Sequence, residues 1–170
     1  GDVVIASSFS GGDVELTPHS SGQTYINSDL DVDGDIDKDA SNFRIDHPLT
    51  PDTKLLRHGT VEAPRYDLLY RDTVTLSSGT ANVDIDTVSN MTSGTFVALT
   101  QNPEVWVQNK TGWTALRGAV SGATLTITAQ DSSSTDTVAW VVIAERADDK
   151  IKANSKTDSD GHLIPESDKP

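Results

Sequence analysis

The chain has 170 residues and no cysteine, and its 26 acidic residues outnumber 13 basic ones to leave a formal charge of -13. Disulfides, thiolate metal sites and a cysteine nucleophile are excluded, and so negative a surface repels phosphate, which argues against nucleic acid as a partner. No apolar run approaches the ~20 residues of a membrane-spanning helix, so membrane insertion is not expected.

Of the acidic residues 21 are Asp and 5 are Glu. Asp is a poor helix former at home in turns and on exposed strand faces, and with the abundant Thr, Ser and Val it points to β structure. An Asp-rich, Lys-poor surface also suits high salt, where surface charge is screened. The chain opens on Gly1, as expected of a processed product or a fragment of a longer fibre.

Residues 1–42 contain no Trp or Arg and are rich in Gly, Ser and Asp. Short alternating pieces recur: Val3-Val4-Ile5, Val14-Glu15-Leu16, Thr24-Tyr25-Ile26 and Leu30 to Ile36. Period-two alternation puts Leu30, Val32, Gly34 and Ile36 on one strand face, with Asp29, Asp31, Asp33, Asp35 and Asp37 on the other. One thin apolar row cannot bury itself within a monomer. Turns between short strands predict stacked coils or intertwined chains, in which the same row from three copies forms a common core. The aspartates match the first half of a calcium loop, but its twelfth position is Ala40 and not a bidentate Glu. Ca2+ or another divalent cation held jointly by several copies is one reading, and a solvated acidic strand face the other.

Residues 43–71 read as irregular strands interrupted by Pro48, Pro51 and Pro64, which belong at edges and turns. From Asp72 the alternation is regular. Val74 and Leu76, a turn at Ser77-Ser78-Gly79-Thr80, then Ala81, Val83 and Ile85 predict a half-buried hairpin. Thr95 to Gln101 predicts another strand. Val105-Trp106-Val107 and Trp113 to Leu116 flank the Asn109-Lys110-Thr111-Gly112 turn, predicting a second hairpin. Leu125 and Ile127 alternate with threonines. Val138 to Ala144 is apolar on both faces, as in a central strand covered on both sides. Regularly spaced strands indicate an antiparallel sandwich or barrel. Residues 148–170 hold ten charged residues and few apolar ones and predict an extended tail, with Leu163-Ile164-Pro165 as a small apolar island.

The block Phe43-Arg44-Ile45-Asp46-His47-Pro48, Leu56-Arg57-His58-Gly59-Thr60-Val61-Glu62-Ala63-Pro64 and Leu69-Tyr70-Arg71 resembles a module of tail-fibre, tailspike and other tail-appendage proteins of tailed bacteriophages and archaeal viruses. The ending Ala139-Trp140-Val141-Val142-Ile143-Ala144-Glu145-Arg146-Ala147-Asp148 and Asp160-Gly161-His162-Leu163-Ile164-Pro165-Glu166 is also similar to that family. The resemblance spans most of residues 29–166; Asp72, in place of the usual Gly after Tyr-Arg, and Arg65, in place of an acidic residue, depart from it. It implies a structural virion protein in a tail appendage, extracellular after release, whose partners are its own copies and other tail or capsid proteins.

No catalytic constellation can be assembled by role. A carboxylate pair of the glycosidase type needs a cleft lined by sugar-stacking rings, and the three Trp, three Tyr and three Phe are scattered. The chain is therefore not expected to be an enzyme. His47, His58 and Glu62 could form a zinc-ligating set, but they lack compact metal-ligand spacing, and buried, hydrogen-bonded histidines explain the block better. Trp106, Trp113 and Tyr66 are candidates for stacking on a host-surface glycan, with packing as the competing role.

The expected architecture is all-β and trimeric: a short repetitive β-shaft (1–42), an antiparallel β-sandwich (43–147) and an extended charged tail (148–170). The expected function is a homotrimeric tail fibre or tailspike piece supporting host attachment. A trimeric capsid or turret decoration protein and a glycan-binding receptor tip are the alternatives.

Overall fold

The computed structural model describes residues 41–168, together with Ile26, Leu30, Val32, Ile36 and Lys38. The chain forms two compact units, 1–60 and 61–170. It is mostly β, with antiparallel sheets and only short helices.

In the first unit β1 (Asn42–Asp46) and β2 (Leu55–Gly59) form an antiparallel hairpin, registered from Asn42 opposite Gly59 to Asp46 opposite Leu55. Its loop is closed by His47 N donating to Lys54 O at 2.9 Å and Lys54 N to Thr50 O at 3.1 Å. Pro48 and Pro51 fall in this loop, where a missing N–H removes no ladder bond.

The second unit holds β3 (Asp67–Thr75), β4 (Thr80–Asp84), α1 (Ile85–Val88), α2 (Thr95–Leu99), β5 (Thr100–Asn109), β6 (Leu116–Ser121), β7 (Thr124–Ala129), β8 (Thr137–Arg146) and α3 (Asp149–Lys152). They make two three-stranded antiparallel sheets, ordered β3-β8-β5 and β4-β7-β6. Alternation decides the inner faces. Val138, Trp140, Val142 and Ala144 of β8 share one core with Leu125, Ile127 and Ala129 of β7 and Ala81 and Val83 of β4. Removing each large apolar side chain from water contributes about 1.5–3 kcal/mol. Tyr70 closes one side of this core edge-on to Phe96, with ring centroids 5.1 Å apart. Burial, and then the charge of Asp86, raises the Tyr70 phenol above its ordinary pKa.

Both expected hairpins have the predicted turn, but their strands part. Ser77 and Thr80 exchange backbone hydrogen bonds, and Gly79 takes a φ of 74°. β3 then pairs along its whole length with β8, and β4 pairs with β7. The turn is a corner between two sheets. Local alternation cannot distinguish a corner from a hairpin, because both reverse the chain; the longer-range partner β8 wins. The second turn behaves alike, since β5 pairs with β8 and β6 with β7. Asp136 anchors it by accepting from Asn109 Nδ2 at 2.8 Å and Ser134 Oγ at 2.9 Å.

The strand expected from Thr95 is instead α2, with β5 starting at Thr100. Gly94 has no side chain to cap this helix, and the buried Asp86 stands in: its carboxylate accepts from Gly94 N and Phe96 N, both at 2.7 Å. Ordering these donors favours a helical turn over extension.

The segment expected to extend as a charged tail folds over its first part. Asp148 caps α3 and pairs with Arg146, and Ile151 is buried. Thr157 then bridges Leu163, and Gln101 Nε2 donates to Asp160 O at 3.0 Å.

Candidate functional site

The residues available for contact fall into three groups. In the first unit Leu30 and Ile36 are each 61% exposed and Val32 is 40% exposed, and Ile26, Ile45, Leu49 and Leu55 are exposed as well. Among the described residues every buried apolar side chain lies between Leu76 and Ile151, in the second unit. The apolar row read from the alternation of 30–36 is thus only partly covered by its own chain at its described positions. The aspartates proposed to hold a cation, Asp29, Asp31, Asp33, Asp35 and Asp37, lie outside the described residues. Among the described residues no three His, Asp or Glu are grouped to hold a metal ion.

His47 is half-buried, and its Nδ1 accepts from Leu49 N at 3.2 Å, a turn-edge role. His58 is exposed on β2, not buried as expected.

The second group is the outer face of the β3-β8-β5 sheet. Strand register places Leu69 opposite Ile143 and Ile143 opposite Glu104; in the next outward row Arg71 stands opposite Val141 and Val141 opposite Trp106. Leu69 is 61% and Trp106 51% exposed, with Val141 and Ile143 half-buried between them. A depression of about 400 Å³ lies alongside, lined by Arg71, Asp72, Thr73, Ala139, Trp140 and Val141. The expectation that β8 is central is met. The expectation that both its faces are covered is met on one face only within this chain.

The third group surrounds Glu145. Its side chain is almost fully buried, and His162 Nδ1 lies 2.8 Å from its Oε1. By distance this is a hydrogen-bonded ion pair; by angle neither carboxylate oxygen has an aligned donor. We read it as an ion pair, because separation controls the Coulomb attraction and a small ring rotation would align the N–H. The contact with Glu145 raises the His162 pKa above its ordinary value, with the nearby Asp158 and Asp160 charges adding to it against partial desolvation. A cleft of about 270 Å³ lies beside the pair, lined by Pro64, Arg65, Asn102, Glu145, His162 and Leu163. Asn102 has a φ of 51° at the register shift between Gln101 and Glu104. This bulge accommodates Pro103 in an edge strand.

The three candidate glycan-stacking residues are not brought into one platform. Trp113 is fully exposed in a loop cleft of about 430 Å³ with Asn109 and Lys110. Trp106 lines a different, 140 Å³ cleft with Arg65 and Glu104, and Tyr66 lines neither. Leu69, Val141, Ile143 and Glu145 went unnoticed as contact residues in sequence. The apolar parity of Val138 to Ala144 was their signal, and it reads equally well as intramolecular burial.

Among the described residues no helix is long and apolar enough to cross a membrane. Comparison with protein-family models and with curated proteins finds no match.

Proposed function

We propose that the chain is a non-enzymatic structural piece of a viral tail appendage, a tail fibre or tailspike working as a homotrimer and supporting host attachment. The first unit is the end of a shaft and the second a β-sandwich that follows it along the chain. One observation carries this reading: the exposed row Leu30, Val32 and Ile36, in a unit with no buried apolar residue among those described. Apolar surface of this kind finds shelter against the same row of sister copies, and symmetric association supplies the buried area that one chain lacks. Adsorption then gains from three-fold avidity of weak contacts.

Native mass spectrometry of the chain tests the assembly. A three-chain species is expected; a monomer persisting at about 100-fold the concentration needed for detection contradicts it, since mass action would favour any real association. Exposure of Trp113 beside Lys110 favours one second reading, a glycan-binding tip. Binding to a glycan array that is lost in Trp113→Ala supports that reading, and absence of binding removes it.

A further inference from the structure

We infer that the two clefts flanking Glu145, which share Arg65, Asn102 and Glu145, form one binding site for a neutral saccharide. This deepens the host-attachment reading proposed above, on which its biological use rests, and the site is separate from the Trp113 loop.

The start of β5 builds the site. The register shift between Gln101 and Glu104 holds Asn102 at a φ of 51°, and a bulge of this kind re-aims a side chain away from the regular ladder. Asn102 lines both clefts, beside Trp106 in the 140 Å³ one and His162 in the 270 Å³ one. Glu145 is the buried member of the lining, with its side chain 2% exposed. Its Oε1 lies 2.8 Å from His162 Nδ1, and its Oε2 has no donor among the described residues. A buried charged oxygen without a donor is costly, and a ligand hydroxyl supplies the missing bond.

The lining selects the ligand class. With His162 protonated, Arg65 and His162 stand among the carboxylates of Asp67, Glu104 and Glu145. An anion meets the carboxylates and a cation meets Arg65 and His162, so a charged ligand of either sign finds like charge close by. Nor are three His, Asp or Glu grouped to hold a metal ion among the described residues. An uncharged polyol gains from both kinds of group. Its hydroxyls donate to the carboxylates, Glu145 Oε2 among them, and accept from the Asn102 amide and the Arg65 guanidinium. Trp106, 51% exposed, offers a rigid ring face to the C–H face of a pyranose. Both clefts fall below the ~300–1,000 Å³ of pockets for drug-sized ligands, which suits one or two sugar rings.

Saturation-transfer NMR titrations of the full chain with glucose, galactose, mannose, rhamnose and N-acetylglucosamine test this, with glucosamine and glucuronate as charged counterparts. At least one neutral sugar is expected to bind, more tightly than either charged one. Trp106→Ala and Asn102→Gly are each expected to weaken binding about 10-fold, and Trp113→Ala to leave it unchanged. Trp106 and Asn102 are exposed, and glycine suits the positive φ at position 102, so both variants keep the fold, which near-ultraviolet dichroism of Trp140 checks. Glu145→Gln, which keeps the shape and removes the charged acceptor, is expected to weaken binding at least as much. Binding that survives Trp106→Ala and Asn102→Gly, or that is lost only in Trp113→Ala, overturns the site. A preference for glucosamine or glucuronate overturns the ligand class. A three-chain species that binds no sugar overturns this inference and leaves the proposed assembly intact. A monomer that binds sugar as described leaves the site standing and contradicts the assembly.

Discussion

His162 Nδ1 lies 2.8 Å from Oε1 of Glu145, a carboxylate that is almost fully buried on the outer side of β8. The pair ties residues 156–164 to the sheet, together with Gln101 Nε2, which donates to Asp160 O; within the segment the Asp158 carboxylate accepts from Asp160 N and His162 N. His162 has a raised pKa when folded, chiefly through Glu145. A raised basic group contributes stability fully below its unfolded pKa of ~6.5 and loses that contribution as pH rises through the folded value. Urea midpoints measured from about pH 6 to pH 9 are therefore expected to fall with pH in the chain, and this component of the fall to vanish in His162→Gln. Identical pH profiles for the two proteins would refute the pairing.

The acid limb has a different origin. Asp136 has a lowered pKa, held down first by Asn109 and then by Ser134 and Thr111. A lowered carboxyl stabilises above its unfolded pKa, and its contribution disappears as pH falls through the lower folded value. Asp136→Asn is expected to flatten part of the loss of stability below about pH 4, read from thermal melts.

Asp86 is the buried cap of α2. Asp86→Ala leaves Gly94 N and Phe96 N without their acceptor, at an expected cost of about 3 kcal/mol from hydrogen bonds to a charged group. Denaturant titration measures it, and a change below about 1 kcal/mol would show that water replaces the carboxylate without penalty.

Trp140 gives a paired test of the core. Its ring is buried, and Nε1 has no acceptor. Trp140→Phe removes that unsatisfied donor along with some volume, so it is expected to cost less than about 1.5 kcal/mol, against about 3–5 kcal/mol for Trp140→Ala. Equal losses in the two variants would mean that the indole N–H has a partner in solution.

What was legible in sequence follows from the range of the interactions. The alternation of Leu125 and Ile127 and of Val138 to Ala144 reads directly as strand, because side-chain parity is a local property. The turns at Gly79 and Gly112 are equally local. Whether the strands flanking them pair is decided by β7 and β8, tens of residues away, and both expected hairpins became corners between sheets. The helix at Thr95 was hidden because its cap comes from Asp86 and not from a residue at its own N-terminus. Of the candidate site, Trp106 and Trp113 are exposed in the structure, where the sequence left them between glycan stacking and packing. Their separation was not legible, since it depends on which cleft each strand or loop end borders.

The apolar row near the start of the chain can be probed most directly by thiol cross-linking, because the chain contains no cysteine of its own. Ile36→Cys and Leu30→Cys, oxidised under mild conditions, are predicted to join copies into covalent dimers much faster than Thr53→Cys, placed on the exposed hairpin loop. Equal and slow cross-linking at all three positions would mean that the row does not meet its counterpart on another copy, and the shaft reading would fail.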